Sequence, residues 1–136
     1  MTSVRSNFQK ESSQEGKNFE QRVYCELLKQ GYEPLIPNKL PEGPNPDFFY
    51  IDKDGVEVYV ECKGGQKPKT AGARRVDNVQ KAIGEGIVVK HNYPNCRFNI
   101  WFSAEPTPGS TSDNYLKSSK GVAYDEVFYL PYKNTS

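Results

Sequence analysis

In 136 residues the sequence holds one histidine, three cysteines, one tryptophan and one methionine, and each scarcity closes a route. A lone His91 excludes a histidine-rich metal centre and any triad built on imidazole, and reads as a surface or strand-end residue. Cys25, Cys62 and Cys96 are odd in number and show no C-x-x-C spacing, so neither a disulfide framework nor a zinc site is expected. They suit a reducing, cytoplasmic setting. No apolar run approaches the length of a membrane span, and the first residues lack the apolar stretch of a signal peptide. A net charge of +1 gives no general affinity for nucleic acid. No Ser/His/Asp set and no phosphate-cradling glycine loop is present. What remains is a polar chain, 26% charged and 35% hydrophobic, with enough aromatic residues (12%) to argue against wholesale disorder. Its length suits one domain spanning 1–136.

The most informative stretch is Asn45–Gly65, NPDFFYIDKDGVEVYVECKGG. Two β-type runs flank Asp52-Lys53-Asp54-Gly55-Val56, which suits a three-residue hairpin loop with Gly55 in the left-handed position. In that loop Asp52 faces Val56, and counting outward sets Asp47 opposite Glu61. Opposed residues of antiparallel strands share a face, with Cβ atoms roughly 5 Å apart. Lys63, two residues on, points the same way. The other face of the second run is Val56, Val58, Val60 and Cys62, apolar and suited to burial. A two-residue loop would shift the register by one and send Asp47 and Glu61 to opposite faces.

Two adjacent carboxylates stay ionised together only with positive charge between them. Oxygen ligands of this kind suit Mg²⁺, with Mn²⁺ as a substitute, completed by waters and a substrate phosphate. A nearby lysine can orient a water or neutralise charge on a phosphate. A cross-strand salt bridge in an edge hairpin would use the same residues for stability alone.

Pro46-Asp47 followed by Glu61-Cys62-Lys63 at the end of the next strand resembles the PD-(D/E)xK nuclease superfamily, whose members share a restriction-endonuclease-like core. The resemblance implies that Asp47 and Glu61 bind the metal, that the backbone carbonyl of Cys62 completes its shell, and that Lys63 positions the attacking water. Gly16-Lys17-Asn18-Phe19-Glu20 looks like the G-x-x-x-E start of resolvase-like members, which implies a supporting role for Glu20. It also implies an α/β fold, a three-layer α/β/α core with a mixed central sheet. The likeness covers roughly residues 16–102.

Residues 1–11 read as a loose arm, and Ser12-Ser13-Gln14-Glu15 as a capping box opening a helix that ends near Gln30. Phe19, Val23, Tyr24, Leu27 and Leu28 form one apolar arc, with Glu20 near its middle. A carboxylate there is costly unless it is paired, metal-linked or able to reach solvent from the rim of the core. Residues 32–36 suit a short strand, and four prolines make 37–46 an irregular loop. Residues 73–84 read as a second helix, 87–90 as a short strand, 97–102 as a central strand and 125–130 as a last strand, with loop or a short helix over 106–119 and a tail over 131–136. Trp101 and Phe102 suit the core better than base stacking. The second helix is similar to a post-motif helix of restriction-like families in which a Gln or Lys faces the metal. Gln80 or Lys81 would take that part, Gln80 lying nearer to Val76 and Ile83.

From Lys63 to Lys81 the basic residues are Lys63, Lys67, Lys69, Arg74, Arg75 and Lys81, against one acid, Asp77. Such a stripe beside a metal site suits a polyphosphate backbone, although a solvated basic loop has the same composition. The expectation is thus a Mg²⁺-dependent endonuclease acting on DNA, with dimerisation as a route to paired cuts. The rival expectation is a module that keeps the fold and binds nucleic acid or protein without cutting.

Overall fold

A computed structural model describes the backbone of residues 4–65, 67 and 71–132, and side chains from Gly16 onward within those ranges. The elements run α1 (Val4–Lys29), β1 (Phe48–Ile51), β2 (Glu57–Lys63), a 3₁₀ turn (Gly72–Arg74), α2 (Val76–Asn92), β3 (Arg97–Phe102), α3 (Thr111–Ser119) and β4 (Glu126–Tyr129). Four strands form one sheet in the order β1-β2-β3-β4. The β1–β2 pair is antiparallel, and β3 and β4 follow in parallel.

The topology dictates the layers. The parallel steps β2–α2–β3 and β3–α3–β4 advance in the same direction, and right-handed crossovers then carry both helices to one face. There Val79, Ala82, Val89 and Leu116 pack on Phe98, Ile100 and Phe102. On the other face Phe19, Val23 and Leu27 of α1 pack on Phe48, Tyr50, Val58, Val60, Cys62 and Trp101. The result is the expected three-layer α/β/α arrangement around a mixed sheet. Trp101 and Phe102 are both core residues.

Three expectations need correction. Of the arm expected over 1–11, residues 1–3 lie outside the described residues, and residues 4–11 belong to α1, which begins at Val4. No Gly or Pro interrupts residues 4–15, and a helix once nucleated gains a hydrogen bond for each residue added. The stretch 12–15 therefore lies inside the helix and does not open it. Residues 32–36 contribute only one isolated bridge, Leu35 to Phe49. The strand expected at 87–90 is instead the last part of α2. Its buried positions Val79, Ala82, Gly86 and Val89 keep helical spacing straight through the two glycines. Gly86 is there for close approach, since an added Cβ would overlap the Ala123 carbonyl oxygen.

Of the tail expected at 131–136, residues 133–136 lie outside the described residues, whereas Pro131 and Tyr132 are held against α1. Arg22 donates to the carbonyls of Leu130 at 3.2 Å and Pro131 at 2.8 Å. Its guanidinium lies 4.5 Å from the centroid of the Tyr132 ring. Among the described residues no helix is long and apolar enough to cross a membrane.

Candidate active site

The site is set by the β1–β2 turn. Asp52 N–H donates to Val56 O at 2.9 Å, and Gly55 N–H to Asp52 O at 3.0 Å. The Asp52 carboxylate accepts from the N–H groups of Asp54 and Val56, each at 2.9 Å. Gly55 has φ of 79°, the left-handed conformation that closes a three-residue loop. The register that follows pairs Phe48 with Val60 and Ile51 with Glu57. Asp47 N–H donates at 2.9 Å to the carbonyl of Val60, the residue already paired with Phe48, which ties Asp47 to the edge of β2.

Alternation then sorts the side chains. Val58, Val60 and Cys62 are buried against α1. Glu61 turns to the α2 side and is only 4% exposed. Lys63 ends the strand on that same side, half-buried, its carbonyl accepting from Ser103 N–H at 3.1 Å. Asp47 is held in place by Cys62 N–H, which donates to Asp47 Oδ2 at 2.7 Å.

Glu20 comes from the opposite layer. Phe19 anchors this turn of α1, and the chain leaving Lys63 passes so close that a Cβ on Gly64 would sit 2.8 Å from Phe19 Cβ. Glu20, the next residue, reaches Asp47 and shares a hydrogen bond with it. Burial first, then the Asp47 charge, push the Glu20 carboxyl up to about 7, while Lys17 and Lys63 pull the other way. Burial also raises Asp47, against the opposing pull of the Cys62 N–H, the Glu20 hydrogen bond and the Lys63 charge.

A further carboxylate stands here that no sequence motif marks. Glu85 on α2 is half-buried, and burial followed by the Asp47 charge pushes it up to about 7. Its Oε2 is shut off from solvent with no hydrogen-bond partner among the described residues. The only sequence signal is position, since Glu85 immediately precedes Gly86 of the buried α2 stripe.

The other candidate residues lie further out. Gln80 is exposed and does not gather with the carboxylates. It stands about 140° around the helix from Glu85, whereas Lys81, one turn before Glu85, stands within about 40°. Of the two residues expected to face the metal, Gln80 and Lys81, both are exposed, while the buried face of α2 runs through Val79 and Ala82. Lys81, Lys67, Arg74 and Arg75 are exposed, and Arg75 pairs with Asp77 at 3.5 Å. Lys69 lies outside the described residues.

The donor set is oxygen only, because the Cys62 thiol is buried on the α1 side and burial raises it well above its usual range. Among the described residues no three His, Cys, Asp or Glu side chains converge tightly enough to cage a metal ion unaided. Mg²⁺ needs no such cage, since it is held by one or two carboxylates and keeps several waters. The orphaned Glu85 oxygen and a carboxyl pair still sharing a proton near neutrality fit a place for added positive charge.

No family model and no curated protein matches the sequence. Solved structures do match. A repair endonuclease from Pyrococcus abyssi superposes with a TM-score of 0.54 at 17% identity, over 86% of this chain and 46% of that one. EndoMS in its complex with double-stranded DNA superposes with a TM-score of 0.58 at 16% identity, over 88% of this chain and 46% of that one. The chain spans less than half the length of either. At this identity the likeness establishes the fold, a restriction-endonuclease-like core.

Proposed function

We propose that the chain is a divalent-metal-dependent endonuclease of the PD-(D/E)xK type that hydrolyses phosphodiester bonds in DNA. The fixing of Asp47 carries this reading: the Cys62 N–H, between Glu61 and Lys63, donates to its carboxylate, and Glu20 arrives from another layer to share a hydrogen bond with it. A salt-bridged hairpin built for stability alone would have no use for a second and third carboxylate facing Asp47.

In this reading Asp47 and Glu61 hold Mg²⁺ or Mn²⁺, helped by the Cys62 carbonyl. The bound ion supplies the positive charge that polarises the scissile phosphate and makes a water acidic enough to attack at neutral pH. Lys63 orients that water and balances charge gathering on the phosphate. Glu20 would steady the Asp47 carboxylate through their shared hydrogen bond before a cation binds. Lys67, Lys69, Arg74, Arg75 and Lys81 track the DNA backbone, each neutralising phosphate charge without reading sequence.

The structural neighbours favour duplex DNA as substrate, one being a repair endonuclease and the other captured on double-stranded DNA. A second copy of the chain would supply the partner for paired cuts. The test is nicking of supercoiled plasmid in Mg²⁺ against EDTA, with Asp47→Ala and Lys63→Ala as controls. Binding without cleavage in Mg²⁺ or Mn²⁺, across duplex, nicked, flapped and four-way-junction substrates, would make the protein a non-cutting module instead.

A further inference from the structure

Glu85 plays no part in the fold that its surroundings explain. It sits on a tightly fixed stretch of α2: its neighbour Gly86 lies against the Ala123 backbone and the Phe98 ring, and Ala82 and Val89 on either side are fully buried. The helix cannot roll to bring the carboxylate out. Asn78 and Lys81 precede it on the same side of α2, and this side meets the chain leaving β2, where the Asn78 amide donates to Gly72 O at 2.9 Å and Gly72 N–H donates to Gly64 O at 3.3 Å. One oxygen of Glu85 is nevertheless sealed from water and has no hydrogen-bond partner among the described residues. Leaving a buried acceptor unsatisfied costs about 1–3 kcal/mol, and more when the group is charged. An apolar side chain at this position would remove that cost. The charge that Glu85 faces is Asp47, which Glu20 approaches from the other side of the sheet.

We infer that Glu85 is a positioning residue for the divalent cation, holding it from the α2 side through a water between the Glu85 carboxylate and the ion. The inference rests on the metal-dependent reading above. The orphaned oxygen gains its partner when that water is in place. Because Glu85 acts through water, it need not stand within direct ligand distance of Asp47 or Glu61, which agrees with the absence of a closed three-carboxylate cage among the described residues. The cation would be braced from both outer layers, Glu20 on α1 and Glu85 on α2, with the hairpin ligands between them.

The test uses the full chain and Mn²⁺ alone, without DNA. The first readout is calorimetric affinity. The second is the rise in melting temperature on adding Mn²⁺, which follows binding even if a variant is itself less stable. Glu85→Gln keeps the shape and removes the charge, and should weaken Mn²⁺ affinity by about 10- to 100-fold, the usual effect of losing a carboxylate one layer out from a metal. The Mn²⁺-induced rise in melting temperature should shrink accordingly, and Glu85→Asp should fall between parent and Gln variant. Affinity and thermal rise in Glu85→Gln equal to those of the parent would overturn the assignment. The reading beneath it fails separately: a parent protein that ignores Mn²⁺, or an Asp47→Asn variant that binds it fully, would remove the metal site itself.

Discussion

The backbone N–H of Cys62 donates to the side chain of Asp47 at 2.7 Å across 15 residues of sequence. This bond converts a hairpin register into a fixed carboxylate. It holds Oδ2 against β2 and leaves the rest of the group facing Glu20 and the Lys63 charge. Asp47→Ala should therefore abolish nicking, and Lys63→Ala should reduce it by on the order of 10²–10³-fold, the typical loss when one charge-stabilising donor is removed. Both variants should also lower the thermal stability of the metal-free protein, since Asp47→Ala leaves the Cys62 N–H without its acceptor and Lys63→Ala removes the charge that favours the ionised carboxylates. Plasmid nicking rates read beside melting curves would check both halves.

The hairpin itself can be tested at Gly55. Its φ of 79° is one that a side chain resists, so Gly55→Val should cost about 1–2 kcal/mol, read as a lower urea midpoint with an unchanged slope. If the strand slips by one residue in response, Mn²⁺ binding should be lost along with stability, because Asp47 and Glu61 would part to opposite faces.

Stability should depend on pH with an unusual sign. Glu20 and Glu85 are both raised from 4.5 to about 7, so between these values the folded protein holds more protons than the unfolded chain. Under that imbalance stability falls as pH rises. The metal-free protein should be most stable near or below pH 4.5 with respect to these two groups, and should lose stability as pH climbs to about 7. The losses of the two groups should not add, because both respond to Asp47. Saturating Mn²⁺ should flatten or reverse the trend, which chemical denaturation at stepped pH would show.

Two glycines of α2 should respond with opposite signs. Gly84 has open space where a Cβ would go, so Gly84→Ala should stabilise by about 0.5–1 kcal/mol through helix propensity. Gly86→Ala forces a methyl into the Ala123 backbone and should destabilise by about 1–3 kcal/mol or more. Thermal melts of the pair separate a continuous helix from a break at Gly84, for which neither change would matter in this way.

Among the exposed basic residues, Arg74→Ala, Arg75→Ala and Lys81→Ala should each weaken DNA binding about equally across sequences. Each phosphate left without its cationic side chain should lower the slope of log affinity against log salt by about 1. Titrations at several salt concentrations give that slope directly.

The hairpin is legible in the sequence because a glycine turn fixes the register, and register decides every face at once. Glu20 is legible because it interrupts an apolar arc that any amphipathic helix would show. The second half of α2 is not. Gly84, Gly86 and the β-branched Ile87-Val88-Val89 carry local preferences for a break and a strand, and tertiary packing of Gly86 and Val89 overrides them. Glu85 is hidden with that helix, since an acid between two glycines reads as loop. Gln80 lies near Val76 and Ile83, but those side chains are only partly buried, and the tight seam runs through Val79 and Ala82.

Arg22 grips the chain just past its last strand, two residues along the helix from Glu20. Tension applied at the C-terminal end would thus travel into the first helix as well as into the sheet, where Leu130 N–H donates to Phe102 O at 2.9 Å. A pull at Tyr132 would be felt through Arg22 at Glu20, and through the shared hydrogen bond at Asp47.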